Sequence, residues 1–251
     1  MLENLQIAIV ILIALMCFYL VIASRRIGRK LAKNAQRSSK ELTNQTSLIK
    51  RELSHLYHQI EALEQLLPAL KLTSALPPSR GWAASPDFLL TLSQITKSKK
   101  PKLVVELGSG VSTLVLAKSG AKKIISLDHS FEYGQATRTM LKEHRVSGVD
   151  IRISELESYP EGYQWYASST FKGIKNIDLL VIDGPPSSTN PGARFPALEH
   201  LAPLLSKNAT VILDDADRDE EKKLAIAFSK AMPNHTLTFL RHEKGTAVIS
   251  A

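Results

Sequence analysis

The stretch Lys102–Asp128, KLVVELGSGVSTLVLAKSGAKKIISLD, decides how this chain is read. An apolar run, Leu103 to Val105, leads into Glu106 and then into two glycines one residue apart, Gly108 and Gly110, before apolar periodicity begins at Val111. That order predicts a strand, a tight loop and a helix, because glycine lets the backbone turn sharply off a strand end and lets a ligand come close. A second apolar run follows within the length of a βαβ unit and stops at Asp128, twenty residues after Gly108. The spacing suits a nucleotide-like ligand. A dinucleotide fold would want a third glycine at position 113 for close helix packing, and Thr113 stands there, so NAD is the lesser reading.

The 251 residues allow one or two domains. Cys17 is the single cysteine, which excludes an intramolecular disulfide and a cysteine metal cluster and fits a reducing compartment. The net charge of +8 is unevenly placed: residues 1–23 carry −1, residues 24–80 carry +7 and residues 81–251 carry +2. The part that holds the glycine motif is nearly balanced, so the basic excess does not argue for nucleic acid as a partner.

Leu5 to Ala23 contains no charged residue over 19 positions, enough as a helix to match a hydrocarbon core of about 30 Å. A cleaved signal peptide would carry a positive segment ahead of its apolar run, whereas only Glu3 precedes this one and seven basic residues without an acid crowd Ser24–Lys40 after it. An uncleaved anchor through residues 5–23 is the expectation. By the positive-inside rule the basic flank stays cytoplasmic, which predicts a single-pass protein of the inner membrane with its folded domain in the cytoplasm.

Ile49, Leu53, Leu56, Ile60, Leu63 and Leu67 then follow at alternating steps of four and three. Two readings stay open: a coiled coil, and so a homo-oligomer through residues 49–67, or one amphipathic helix folded on the following domain. Pro68 and Pro77-Pro78 are expected to end the helix. The organisation predicted is an anchor at 1–23, a basic juxtamembrane segment and helical stalk at 24–76, and a globular domain at 77–251.

Beyond Gly81 the pattern alternates strands and helices: a capped helix at Ser85–Ile95, the opening βαβ unit, a helix from Phe131 to about Arg145, and a strand at Val149–Ser154. After an aromatic segment, Tyr159 to Phe171, come a strand Ile177–Asp183, a loop DGPPSSTNPG and a helix Ala193–Leu205. A strand Thr210–Asp214, a helix from about Asp219 to Met232 and two strands turning at Gly245 complete the chain. This predicts a Rossmann-like α/β domain, a doubly wound and mostly parallel sheet that ends in an antiparallel hairpin.

From Gly81 to Ala251 the chain resembles the class I S-adenosylmethionine-dependent methyltransferases, whose seven-stranded sheet ends in such a hairpin. Within them it is similar to a small O-methyltransferase-like bacterial group with a Glu-Leu-Gly-Ser-Gly-x-Ser-Thr first motif and Asp-Gly-Pro-Pro after the fourth strand. Both motifs are present, at 106–113 and 183–186. The resemblance implies that S-adenosylmethionine is the cofactor and that Glu106, Gly108, Ser109, Gly110, Ser112, Thr113, Asp128, His129, Glu155 and Asp183 surround it. Asp128, at the second strand end, is placed to accept from the ribose hydroxyls, or else to cap the helix from Phe131, a role Ser130 can also fill. Ser112 and Thr113 either donate to the cofactor or cap their own helix. Glu155 falls where the family contacts adenine.

Asp183 ends the strand beside the first across the switch point and is the candidate for the reacting centre, with Asp215. Its carboxylate could serve as base, hold a divalent cation that lowers an acceptor hydroxyl's pKa, or stiffen the turn. Asp183, Asp214 and Asp215 form a candidate oxygen-ligand set for Mg²⁺. Catechol-type O-methyltransferases, which this region resembles, hold a metal with an Asp after the fourth strand and an Asp-Asn pair after the fifth. Here Ala216 replaces that Asn, and Pro186 stands where those enzymes place a catalytic Lys. Arg194 and Arg218 flank the same edge, able to pair with an anionic acceptor, with these carboxylates or with water. Trp82 and Tyr163–Tyr166 form a lid or pack on the domain. The expectation is therefore a membrane-anchored O-methyltransferase acting on a small or membrane-associated acceptor. Its rival is a membrane-anchored scaffold whose sheet domain binds cofactor without turnover.

Overall fold

The computed structural model describes residues 2–79 and 81–251, which fall into two compact units, one up to Leu56 and one from Tyr57 on. The first unit is one helix, the greater part of α1 (Leu2–Leu70). Its apolar residues from Leu5 to Val21 are exposed, and the helix is long and apolar enough, by length and composition, to cross a membrane. Ile49, Leu53 and Leu56 are also exposed.

In the second unit the last turns of α1 bury Ala62, Leu66 and Leu70, whereas Ile60 and Leu67 stay exposed. The buried stripe therefore runs at steps of four and is offset from the heptad seam expected in the sequence, because Leu66 and Leu70 join the cluster of Phe88, Leu89 and Leu92 on α2 (Pro86–Lys99). Pro68 does not stop the helix as expected; α1 continues to Leu70, and Lys71 in the left-handed region (φ 48°) ends it.

Seven strands make one sheet: β1 (Val104–Leu107), β2 (Ile124–Asp128), β3 (Val149–Ile153), β6 (Ile177–Ile182), β7 (Leu205–Asp214), β8 (Thr236–Leu240) and β9 (Thr246–Ser250). Their order is β3-β2-β1-β6-β7-β9-β8, parallel through β7 and antiparallel in the last two pairings. This is the Rossmann-like sheet and terminal hairpin expected from the sequence.

Successive residues of a strand face opposite sides, and the middle strands feed both sides with apolar groups. Val104, Leu179 and Ile212 join the core beneath α2, α3 (Val111–Lys118) and α4 (Phe131–Glu143), while Val105, Leu180 and Val211 join the one beneath α5 (Pro196–Leu201) and α6 (Asp219–Ala231). Each such side chain contributes about 1.5–3 kcal/mol by burial, which fixes the strand ends that carry the polar residues.

Two departures lie near that edge. The expected helix at 193–205 shortens to α5 and a 3-10 turn, Ala202–Leu204, and β7 begins at Leu205. Pro203, which has no N–H to give, interrupts the α-helical pattern. The aromatic segment, for which no strand is expected, contributes β5 (Gln164–Tyr166) to a separate antiparallel pair with β4 (Leu156–Ser158), closed by Tyr159 donating its hydroxyl to the Tyr166 carbonyl at 2.8 Å.

Candidate active site

β1 lies between β2 and β6, so the loops leaving all three strands crowd one carboxyl edge, the place where open α/β sheets hold ligands. Gly108 leaves β1 at φ 90° and donates its N–H to the Leu127 carbonyl at 2.8 Å. A Cβ at Gly108 would lie 3.0 Å from the Asp183 carbonyl oxygen, and one at Gly184 would lie 3.1 Å from both the Gly108 Cα and the Tyr166 hydroxyl. The two loops meet backbone to backbone, so a side chain on either glycine would press the facing loop away, and at Gly108 it would also be strained by the positive φ.

Glu106 is fully buried at the floor. Its Oε2 accepts from the Thr113 hydroxyl at 2.5 Å and the Ser126 hydroxyl at 2.7 Å, while its Oε1 has no partner. Burial, only partly offset by these hydroxyls, pushes its pKa from 4.5 up to about 7. Thr113 Oγ1 also accepts from the Gly110 N–H at 3.0 Å, so this hydroxyl caps α3 and ties the loop to Glu106. Ser112 is buried on the same first turn.

Asp128 clasps the neighbouring loop. Its Oδ2 accepts from the Ser109 N–H at 3.0 Å and the Ser109 hydroxyl at 2.6 Å, and its Oδ1 accepts from the Ser130 N–H at 2.9 Å. A carboxylate offers about four acceptor positions, so Oδ1 retains room for a further donor. The cap of α4 is Ser130, which accepts from the Tyr133 N–H at 3.3 Å, so Asp128 does not serve as that cap. His129 lies beside it, its Nδ1 3.7 Å from Asp128 Oδ1. Glu155 is exposed just beyond β3, which is held to β2 by the Ser154 N–H donating to the Asp128 carbonyl at 2.8 Å.

Across the edge, Arg194 is the hub. Its buried guanidinium puts Nη2 at 2.8 Å from Asp215 Oδ2 and 3.4 Å from Asp183 Oδ1, and Nη2 also donates to the Asp183 carbonyl at 3.2 Å. Nη1 donates to the Asp214 carbonyl at 3.0 Å and Nε to the Pro185 carbonyl at 3.4 Å. Arg218 adds a second cation, 3.1 Å from Asp215 Oδ2. Asp183 is pushed from 3.8 up to about 7, mainly by burial, with Arg194 pulling it down and Asp215 pushing it up. Asp214 is buried with neither carboxylate oxygen partnered, and burial first and Asp183 second raise it well above the carboxylate range. Asp215 sits at φ 59°, an uncommon conformation for a side chain without glycine's freedom, which turns it out of β7 into this cluster.

The expected Mg²⁺ set therefore needs correction. Asp183 and Asp215 do converge, but a guanidinium stands between them, Asp214 is still paired within β7 opposite Thr246, and among the described residues no group of three His, Cys, Asp or Glu side chains has the arrangement to hold a metal. These residues do not fit a divalent cation.

The sequence gives Tyr166 no more than a place in a lid or packing segment. The hairpin turns it inward, fully buried, with its hydroxyl unpartnered and its pKa raised by burial and by Asp128, Asp183 and Glu106. Trp82, by contrast, is exposed.

Residues 105–216 match the model of a family described as a methyltransferase domain. That stretch, from β1 to the residue after Asp215, is a methyltransferase domain by this match. No curated protein matches the chain in sequence. Among solved structures, a methyltransferase from Geobacter sulfurreducens is similar at 18% identity and a TM-score of 0.52, covering 81% of this chain and 95% of its own. A putative O-methyltransferase from Klebsiella pneumoniae is similar at 16% identity and a TM-score of 0.52, over 77% of this chain and 89% of its own. The O-methyltransferase TomG from Streptomyces achromogenes, solved in complex with SAM, is similar at 14% identity and a TM-score of 0.50, over 78% and 89%. At these identities the solved structures bear on the fold of the methyltransferase domain alone.

Proposed function

We propose that this chain is a membrane-anchored S-adenosylmethionine-dependent methyltransferase that methylates an oxygen of a small or membrane-associated acceptor at the cytoplasmic face of the inner membrane. One observation carries the reading. Glu106 Oε1 and Tyr166 Oη, an acceptor and a donor, are both buried and unpartnered on the ligand edge of the sheet, beside a cradle that any Cβ would fill. Buried polar atoms without partners are rare and costly, and a ligand with matching groups would relieve both.

S-adenosylmethionine fits those groups and would supply a methyl carbon on a sulfonium, a good leaving group. Glu106, Gly108, Ser109 and Gly110 would take its amino acid end, the ammonium toward Glu106, with Thr113 and Ser112 shaping the turn beneath. Asp128 Oδ1 would accept from a ribose hydroxyl, and His129 and Glu155 would flank the nucleoside. Asp183, raised toward neutrality, is poised to take the proton of an acceptor hydroxyl while that oxygen bonds the methyl carbon. Asp215 acts through Arg194 to hold Asp183 in place.

The anchor at 1–23 and the basic segment after it keep the acceptor search at the membrane. The exposed seam of residues 49–67 is our candidate for homo-oligomerisation. We divide the chain into this anchor, a stalk from 24 and the methyltransferase domain, whose packed unit takes in the helix from Tyr57.

Calorimetry on the full chain in detergent tests the reading. S-adenosylmethionine and S-adenosylhomocysteine should bind, NAD should not, and Asp128→Ala should weaken binding by at least tenfold. No S-adenosyl binding would sink it.

A further inference from the structure

We propose that Arg194 is the resident cation of this methyltransferase site, occupying the position between Asp183 and Asp215 that a divalent metal would need, so that the site works without one. The inference rests on the methyltransferase reading and extends it to the class of acceptor.

Three acidic side chains at the ends of neighbouring strands are a hard-cation site by composition. In this chain the charge between them is already supplied. Arg194 comes from the loop after β6, is buried, and directs every guanidinium nitrogen at that edge: Nη2 to Asp183 and Asp215, Nη1 to the Asp214 carbonyl, and Nε to the Pro185 carbonyl, with Glu221 Oε1 at 3.9 Å. A second cation inserted here would meet a guanidinium that cannot lose its proton. Asp214 is still paired within β7 opposite Thr246 and meets Arg194 only through its carbonyl.

Two consequences follow. A divalent metal commonly binds an acceptor through two adjacent oxygens, and this site has no such requirement because each guanidinium nitrogen of Arg194 is engaged within the protein. The acceptor class is accordingly one presenting a single nucleophilic hydroxyl to Asp183, with no vicinal partner needed. Arg194 is a positioning residue: it holds Asp183 Oδ1 and the Asp183 carbonyl and leaves the other carboxylate oxygen for the acceptor.

The test is Mn²⁺ binding to the full chain in detergent, read by paramagnetic resonance of free Mn²⁺ and by the Tm with and without EDTA. Wild type should bind none at millimolar metal and show the same Tm in EDTA. Arg194→Met keeps the stem and removes the charge; it should acquire Mn²⁺ binding and a metal-dependent rise in Tm, both lost again with Asp215→Asn added. A structural role alone would lower the Tm and create no metal site. Specific Mn²⁺ binding by wild type that Asp215→Asn abolishes would overturn the proposal, and so would an Arg194→Met protein that folds but binds no metal. Should Arg194→Met not fold, the wild-type measurement alone still decides. S-adenosylhomocysteine calorimetry on the same wild-type sample separates failure of this inference from failure of the methyltransferase reading.

Discussion

Gly184 faces Gly108 so closely that a Cβ on the first would lie 3.1 Å from both the N and the Cα of the second. The contact joins the loop after β1 to the loop after β6, the two that would flank a transferred group. Gly108→Ala adds a strained positive φ to this crowding and should lower stability by about 1–3 kcal/mol. Gly184→Ala, away from the left-handed region, should act mainly by closing the cradle. Both should reduce S-adenosylhomocysteine affinity by more than tenfold in calorimetry, and a Gly184→Ala protein that binds normally would show that the cradle is not the ligand site.

Tyr166→Phe should move stability and affinity in opposite directions. The hydroxyl is buried without a partner, so its removal relieves an unsatisfied group costing about 1–3 kcal/mol and should raise the Tm of the ligand-free protein. If that hydroxyl serves a ligand, S-adenosylhomocysteine affinity should fall roughly tenfold, the worth of one hydrogen bond of about 1.4 kcal/mol. Equal affinity in the variant would reduce Tyr166 to a packing residue.

Glu106 makes stability depend on pH in an unusual sense. Its folded pKa, about 7, lies above its ordinary 4.5, so the folded state holds the proton more tightly than the unfolded state. That stabilisation is fully present below pH 4.5 and is lost as the pH rises through 7. Denaturant midpoints across this window should fall less steeply in Glu106→Gln than in wild type. A cationic ligand group at Oε1 would favour the carboxylate, so S-adenosylhomocysteine binding below pH 7 should release a proton, detectable as a buffer-dependent calorimetric enthalpy.

Asp87 is the opposite case. Its carboxylate accepts from Ser85 Oγ at 2.6 Å, Gln59 Nε2 at 2.7 Å, and the N–H groups of Phe88 and Glu243 at 2.8 Å. Burial opposes its charge, but these donors win and hold its pKa below the ordinary value. Its contribution is therefore present above pH 3.8 and lost as the pH falls through the lowered pKa. Asp87→Ala leaves several donors unpaired and should cost about 3 kcal/mol or more at neutral pH, read as a shift in the urea midpoint.

The sheet was legible because β1, β2 and β6 are largely buried on both faces and so appear as mostly apolar runs, with Ser126 and Asp178 the exceptions, closed by Glu106-Leu107-Gly108, Asp128 and Asp183. Strand ends carry the chemistry, and strand ends are where a sequence changes character. What stayed hidden depends on distant partners. Arg194 sits in a loop whose composition suggests solvent, and its burial follows from carboxylates lying 11, 21 and 27 residues away, at Asp183, Asp215 and Glu221. Tyr166 lies in a three-residue strand too short for its alternation to reveal which way the ring points. Which face of the last α1 turns meets the domain was hidden for a related reason: the cover provided by Phe88 and Leu92 falls on Leu66 and Leu70, off the regular seam of Ile60 and Leu67.

Those last two leucines set where the protein can be cut. A fragment begun at Pro77, after the helix and in an apparently natural linker, would lack Leu66 and Leu70 and expose the apolar side chains of α2 that they cover. It should be aggregation-prone, whereas one begun near Tyr57 keeps the packing and the Gln59 hydrogen bond to Asp87. The helix that leads toward the apolar N-terminus is thus also the last piece of the folded domain's core, and proteolysis that separates the domain from the apolar segment must spare its final turns.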